Sequence, residues 1–236
     1  MTNYDVLAQY YDEIMGDRQD EVNHIINLID RYNPKAKSLL ELGSGTGSIL
    51  VGLSSRFEVS GIEKSPEMLK LSQLKLPKST FLLGDMAAVS TSRKYDVIIC
   101  IFDSINHLPN FGAWQEMFQN AAAHLNTGGI FIFDMITTGR VAKLAHMPYY
   151  TQSTPSFTAN MQIEARAKDS VEWTTTIEVP LGDGTIDVYE DYAVETAFGL
   201  EQVTNALKHR FAILDCFERF NATPTDDSDR IYFVCR

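Results

Sequence analysis

Ser38-Leu39-Leu40-Glu41-Leu42 runs straight into Gly43-Ser44-Gly45-Thr46-Gly47, and an apolar stretch resumes at Ile49. A short strand, three alternating glycines and a helix from about Gly47 to Arg56 form the most restrictive pattern in the chain. Glycine admits positive φ and lets backbone approach a ligand closely. Open α/β sheets bind their ligands at the carboxyl edge of the strands, which is where this turn falls.

The strand and helix alternation continues through residue 136. Gln19 to Tyr32 reads as a helix with Val22, Ile25, Ile26 and Ile29 on its apolar side, ended by Asn33-Pro34 because the residue before proline is pushed out of the α region. Glu58 to Ile62 is a second strand, and Ser65-Pro66 opens a helix to Leu74, with serine as the N-cap and proline at the first helical position. Thr80 to Leu83, Tyr95 to Phe102 and Ile130 to Met135 complete five strands, with a helix from Trp114 to Leu125 and a turn at Asn126 to Gly129 before the last. The near-continuous apolar run from Tyr95 suits a strand covered on both faces. This order predicts an α/β fold with a doubly wound parallel sheet and right-handed crossovers.

Between Thr137 and Ala197 the apolar period falls to two. Phe157, Ala159, Met161, Ile163 and Ala165 form one run, and Val171, Trp173, Ile177 and Val179 a second. Ile186, Val188, Tyr192 and Val194 form a third after the turn Gly182-Asp183-Gly184. They predict an antiparallel β insertion after strand five, a lid or substrate subdomain over residues 137–197. A helix from Leu200 to Lys208 and an antiparallel pair, Phe211 to Phe220 and Arg230 to Cys235, then complete a seven-strand Rossmann-like sheet built from residues 1–136 and 198–236.

Composition narrows the partners. The 236 residues carry 20 basic and 31 acidic side chains, a formal charge of −11 without a Lys/Arg cluster, which disfavours nucleic acid and anionic membranes. The start, Met1 to Asp5, lacks the basic and apolar segments of a signal peptide, and no apolar run approaches the roughly 20 residues of a spanning helix, so a cytoplasmic monomer or homodimer is expected. Cys100, Cys216 and Cys235 have neither disulfide-framework nor zinc-ligand spacing, which predicts buried thiols and no metal.

Acidic residues recur at successive strand ends. Glu41 lies two positions before Gly43, and the spacing G-x-G-x-G departs from the dinucleotide fingerprint, which would need a glycine at Ser48. Glu63 ends strand two about 20 residues beyond the turn, where a carboxylate accepts hydrogen bonds from ribose hydroxyls. A carboxylate there, rather than an arginine, implies a ribose without a 2′-phosphate. Asp85, after strand three, is positioned for the exocyclic amine of an adenine.

Leu39 to Gly47 (LLELGSGTG), Gly61 to Leu69 (GIEKSPEML), Gly84-Asp85-Met86, Tyr95 to Cys100 (YDVIIC) and His124 to Gly129 (HLNTGG) resemble the successive motifs of class I S-adenosylmethionine-dependent methyltransferases. Within that class, Tyr10-Tyr11-Asp12, Ile101 to Leu108 (IFDSINHL) and the meander look most like small-molecule N-methyltransferases, including those acting on nucleotide-linked amino sugars. The resemblance implies S-adenosylmethionine as cofactor. Gly43, Ser44, Gly45 and Gly47 would cradle its methionine part and adenosine, and Glu63 would hold both ribose hydroxyls. Lys64 and Met68 would line the adenine side, with Asp85 and Met86 flanking the base. Ile101 and Phe102 would offer backbone carbonyls and an apolar wall, and Tyr11 would lie over the transferring methyl. An acidic pocket suits a ligand with a sulfonium and an ammonium.

The same resemblance implies methyl transfer to a small-molecule acceptor at an amine nitrogen. His107, just after strand four, is the candidate general base, since an ordinary imidazole titrates near neutrality. His24, His124, His146 and His209, on predicted helices or in the insertion, are weaker candidates. Asp103 and Asn106 either orient an amine or hydroxyl of the substrate or cap the turn before Pro109. Tyr149, Tyr150 and Trp173 are candidates for an aromatic wall against a substrate cation, or else form the insertion's own small core. A protein or RNA methyltransferase and an NAD-dependent oxidoreductase are the competing readings. The charge speaks against RNA, and Ser48 against NAD.

Overall fold

The structure, a computed structural model, describes residues 4–88, 91–147, 149–218 and 222–236. Met1 to Asn3, part of the segment read for a signal peptide, and Arg219 and Phe220, the end of a predicted strand, lie outside the described residues.

Five strands, β1 (Ser38–Leu42), β2 (Glu58–Glu63), β3 (Thr80–Leu83), β4 (Tyr95–Cys100) and β5 (Leu125–Ile136), pair in parallel. The insertion contributes β6 (Tyr150–Ser153), β7 (Thr158–Ala167), β8 (Ser170–Pro180) and β9 (Ile186–Thr196), a separate antiparallel sheet in that order. The chain returns with β10 (Ile213–Glu218) and β11 (Arg230–Cys235), antiparallel to each other and to β5. The main sheet therefore has seven strands in the order β10-β11-β5-β4-β1-β2-β3. Strand order reverses between β1 and β4, and a crevice opens there at the carboxyl ends.

Helices cover both faces. On one side pack α2 (Gln19–Tyr32), α3 (Ser48–Leu53) and α4 (Pro66–Lys75), with Ile25, Ile29 and Leu50 against Leu39, Val97 and Ile99. On the other pack α5 (Phe111–His124) and α7 (Leu200–Lys208), where Trp114, Phe118 and Leu207 meet Phe131, Phe133 and Phe233, while α6 (Thr138–Leu144) packs through Val141 and Leu144 against Val171 of the insertion. The rings of Phe133 and Phe233 stack at 4.9 Å across β5 and β11. Among the described residues no helix is long and apolar enough to cross a membrane.

Several element boundaries differ from expectation, each for a local reason. β4 stops at Cys100 instead of Phe102, because Phe102 and Asp103 turn to φ 58° and 53° and donate their N–H groups to the Asp134 carboxylate at 3.0 and 2.6 Å. α5 begins at Phe111, ahead of Trp114, since Asn110 Oδ1 accepts from Ala113 N at 3.0 Å as an N-cap. β5 takes in the predicted turn from Asn126.

The insertion opens with α6, which the period-two reading did not include, and its third run faces the other way. Ile186, Val188 and Tyr192 are exposed by 57%, 61% and 49%, while Asp191, Ala193 and Glu195 point inward and are buried. The reason lies at the start of the chain. A helix absent from the sequence reading, α1 by position (Ala8–Met15), packs with Leu7 against Phe157, Ala159 and Ile177 of the insertion. The Asp191 carboxylate accepts from Tyr4 N at 3.0 Å and from Val6 N and Leu7 N at 3.2 Å each, supplying from β9 the cap that no local side chain gives this helix.

Candidate active site

The glycine turn separates two uses of glycine. Gly45 has φ 53°, and a Cβ built there would meet nothing within 4 Å, so the backbone faces open space. Gly47 has φ 76° and a Cβ there would lie 2.9 Å from Ser72 Cβ, so this glycine seats α3 against α4. Glu63 braces the turn from β2: Oε2 accepts from Gly45 N, and Oε1 from Lys64 N and Ser65 N, all at 2.8 Å. Burial raises its pKa, and those three N–H groups oppose the rise.

Glu41 lies beneath the turn, 3% exposed, and its Oε2 has no hydrogen-bond partner among the described residues. Burial, and then the nearby Glu63 charge, push its pKa well above the usual carboxylate value. Ser44 Oγ is likewise buried without a partner. Buried polar groups are ordinarily satisfied, and leaving one unmade costs about 1–3 kcal/mol, so two orphans in one crevice mark a place for a polar ligand.

The facing wall comes from α1 and the segment after it. Tyr11, Asp12 and Arg18 line the pocket together with Glu41, Gly43 and Gly45, and Ile101 and Phe102 close it from the exit of β4. The Arg18 guanidinium lies 4.3 Å from the centroid of the Phe102 ring. Asp12 ties this wall to the turn, accepting from Thr46 Oγ1 at 2.5 Å and Ser48 Oγ at 2.6 Å and pairing with Lys75. Burial pushes the Tyr11 hydroxyl up to about 12, although Arg18 opposes it. Tyr11 was expected here; Asp12 was read only as part of Tyr10-Tyr11-Asp12, without a role of its own, Arg18 was not singled out, and Glu41 was noticed only by its position before the glycines.

Other expected residues are placed differently. Lys64 and Asp85 pair with each other at 3.1 Å near the surface, and Asp85 Oδ1 accepts from Ala87 N at 2.9 Å. Met86 reaches beneath the turn, its Cε 3.3 Å from a Cβ built at Gly43. Met68 is 2% exposed, buried under the start of α4, and does not line an open surface. Asn106 is fully buried and its amide is saturated: Nδ2 donates to Ile136 O and Thr196 O at 3.2 and 3.1 Å, and Oδ1 accepts from Ile136 N at 3.0 Å. That excludes the substrate contact and makes Asn106 a clamp between β4's exit, β5 and β9. Trp173 packs with Ile136, Val141 and Leu144, whereas Tyr149 and Tyr150 are 58% and 53% exposed, so the three do not make one aromatic wall.

Asp103 and His107 stay near the crevice. Asp103 pairs with Arg230 at 3.1 Å, and Asp134 shares the same guanidinium at 2.7 Å. His107 Nδ1 lies 3.1 Å from Val194 O, a carbonyl that can only accept, so this nitrogen carries the proton and Nε2 accepts from the Tyr4 hydroxyl at 3.2 Å. Burial lowers the His107 pKa, with Asp103 acting in the opposite sense. Tyr4 stands edge-on to both His107 and Tyr11, with centroids 5.4 and 5.9 Å away, and links the base candidate to the pocket wall. Among the described residues no group of three His, Cys, Asp or Glu is placed to hold a metal, and Cys216 is only half-buried.

The fold has known counterparts. A family model described as a methyltransferase domain matches residues 39–129. The dTDP-3-amino-3,6-dideoxy-alpha-D-glucopyranose N,N-dimethyltransferase of Streptomyces fradiae is 32% identical over 133 residues, 54% of this chain and 52% of that protein. The chain thus spans about half the length of the curated relatives it matches. Among solved structures, an S-adenosylmethionine-dependent methyltransferase from Clostridium acetobutylicum superposes with a TM-score of 0.86 at 23% identity, covering 99% of this chain and 98% of that one. CalS10, an amino pentose methyltransferase from Micromonospora echinaspora solved with its cofactor bound, gives 0.76 at 21%, covering 100% and 98%. A methyltransferase-domain model thus matches residues 39–129, and the whole chain shares its fold with the S-adenosylmethionine-dependent methyltransferase from Clostridium acetobutylicum.

Proposed function

We propose that this protein is an S-adenosylmethionine-dependent methyltransferase that methylates an amine nitrogen of a small molecule. The observation that carries the reading is the open glycine turn with the orphaned Glu41 carboxylate beneath it. These residues fit the cofactor. Gly45 leaves room for it, Glu63 offers a carboxylate to ribose hydroxyls, Glu41 answers an ammonium, and Arg18 answers a carboxylate.

Bound there, S-adenosylmethionine supplies an electrophilic methyl group on a sulfonium. The protein's task is then alignment and exclusion of water, and near-attack positioning alone can contribute on the order of 7 kcal/mol. Helix α1, whose Tyr11 and Asp12 line the crevice, and the insertion packed behind it would exclude water. His107 would take the acceptor's proton at Nε2, the nitrogen that now accepts from Tyr4.

An amine acceptor is supported by the relatives, which include N,N-dimethyltransferases of dTDP-linked amino sugars. The oxidoreductase reading is disfavoured by the G-x-G-x-G spacing, which puts Ser48 where the dinucleotide fingerprint has its third glycine. The test is thermal unfolding with each cofactor. S-adenosylhomocysteine at a hundredfold excess over its Kd should stabilise the fold by about 2.7 kcal/mol and NAD by nothing measurable. Stabilisation by NAD alone overturns the proposal.

A further inference from the structure

One wall of the crevice is held in an unfavourable backbone conformation by two side chains behind it. Phe102 and Asp103, at the exit of β4, are consecutive residues with φ 58° and 53°, a region that residues bearing a side chain rarely enter. Asp134, 2% exposed on β5, holds them there: Oδ2 accepts from Phe102 N at 3.0 Å and Oδ1 from Asp103 N at 2.6 Å. Arg230 on β11 completes the arrangement, donating to Asp134 Oδ1 at 2.7 Å and to Asp103 Oδ2 at 3.1 Å. Burial, with Asp103, raises the Asp134 pKa, and Arg230 and the two N–H groups oppose the rise.

The turn so fixed belongs to the crevice, although Asp134 and Arg230 do not line it. Ile101, Phe102 and Ser104 do, together with Tyr11, Asp12 and Arg18. The Arg18 guanidinium sits over the Phe102 ring at 4.3 Å and also approaches Glu21, at 3.8 Å. A guanidinium stacked on an aromatic face keeps the N–H groups of its edge, and these match the two oxygens of a carboxylate. The contacts run without a gap from Arg230 to Asp134, from Asp134 to the Phe102 backbone, and from the Phe102 ring to Arg18.

Resting on the reading of the crevice as an S-adenosylmethionine site, we propose that Asp134 and Arg230 are positioning residues for the amino-acid end of the cofactor. They hold Phe102 and Asp103 in the left-handed form, which presents the Phe102 ring to Arg18, and the ring steadies the guanidinium that meets the cofactor's carboxylate. Without the Asp134 acceptor the two residues relax toward ordinary φ and the ring leaves Arg18. The ribose end depends on other groups, since Glu63 braces the glycine turn through Gly45, Lys64 and Ser65. Loss of the pair therefore weakens one end of the ligand and spares the other.

Calorimetry with two ligands separates positioning from general support of the fold: S-adenosylhomocysteine carries the amino-acid group and 5′-methylthioadenosine lacks it. In D134N one amide oxygen replaces a carboxylate that serves two N–H groups and a guanidinium, so the S-adenosylhomocysteine Kd should rise about tenfold while the 5′-methylthioadenosine Kd stays within about twofold of wild type. R230K, whose ammonium cannot fork between Asp103 and Asp134, should show the same selective loss in smaller measure. F102G adopts the positive φ without strain but has no ring, and should match D134N. Because the pair acts through that ring, D134N/F102G should bind S-adenosylhomocysteine no more weakly than F102G. If D134N does not fold, R230K and F102G decide by the same comparison. Equal weakening of both ligands, unchanged S-adenosylhomocysteine affinity in these variants, or losses that multiply in the double variant each overturns the proposal. Failure of the wild-type protein to bind S-adenosylhomocysteine is a different result, which overturns the cofactor reading and the proposal with it.

Discussion

Replacing Asp191 by alanine should release the start of the chain from the insertion. The carboxylate receives three backbone N–H groups, from Tyr4 at 3.0 Å on Oδ1 and from Val6 and Leu7 at 3.2 Å each on Oδ2. These lengths lie at the long end of the hydrogen-bond range, so the lower part of the energy scale applies, about 1 kcal/mol each and about 3 kcal/mol together. That corresponds to roughly a 150-fold shift in the docking equilibrium of residues 4–15. Hydrogen exchange of the Val6 and Leu7 amides reads it directly: in D191A their protection should fall by about that factor, while β1 and β4 amides keep theirs. In D191N the amide oxygen can occupy the Oδ2 position and keep the Val6 and Leu7 bonds, so a loss of about tenfold is expected. Since Tyr11 and Arg18 line the pocket, apparent cofactor affinity should fall with the fraction of docked molecules. Unchanged protection of Val6 and Leu7 in D191A would refute the reasoning.

Three further outcomes are expected. Gly45→Val puts a branched side chain where φ is 53° and the backbone faces the crevice, so calorimetry should find S-adenosylhomocysteine binding abolished while far-UV circular dichroism stays that of wild type. His107→Ala should remove turnover at retained cofactor affinity; full activity on the true acceptor would take His107 out of the chemistry. Glu195 binds its proton more tightly in the fold, about 8, than in the unfolded chain, 4.5, so its charging destabilises the protein progressively as pH rises between those values. The melting temperature of E195Q should therefore gain on wild type from about pH 5 to pH 8 and level off above, and a constant difference would contradict the burial of Glu195.

What could be read from the sequence is what neighbouring residues decide. β1, β3, β11, α2 and α7 have their expected bounds because unbroken apolar runs and a 3.6-residue period are local signals, and Ser65-Pro66 caps α4 as written. α1 was not legible: it is eight residues long, with its cap 184 residues away in sequence and its apolar side filled by another sheet. The third alternating run of the insertion was misread by one face, because alternation tells which residues share a side and not which side is covered. Here Asp191, Ala193 and Glu195 turn inward, and Asp191 meets backbone N–H groups from the start of the chain. The glycine turn, Glu63 and Tyr11 were local enough to identify. Arg230, which holds Asp103 across 127 residues, and Asn106, whose amide reaches Thr196 across 90, take their roles only from the closed fold.

The cap on α1 also orders events during synthesis. Tyr4 and Asp191 are separated by 187 residues, so the first helix cannot acquire its acceptor until most of the chain has been made. At roughly 5–20 residues per second, that leaves the segment waiting for on the order of 10–40 s while β1 to β5 can already pair. During that interval the nascent protein has its glycine turn and Glu63 but no wall opposite them. A ribosome stalled before codon 191 would hold a chain with β1 to β5 but without β10 and β11, its crevice open until β9 emerges to hold the Tyr4 to Leu7 segment.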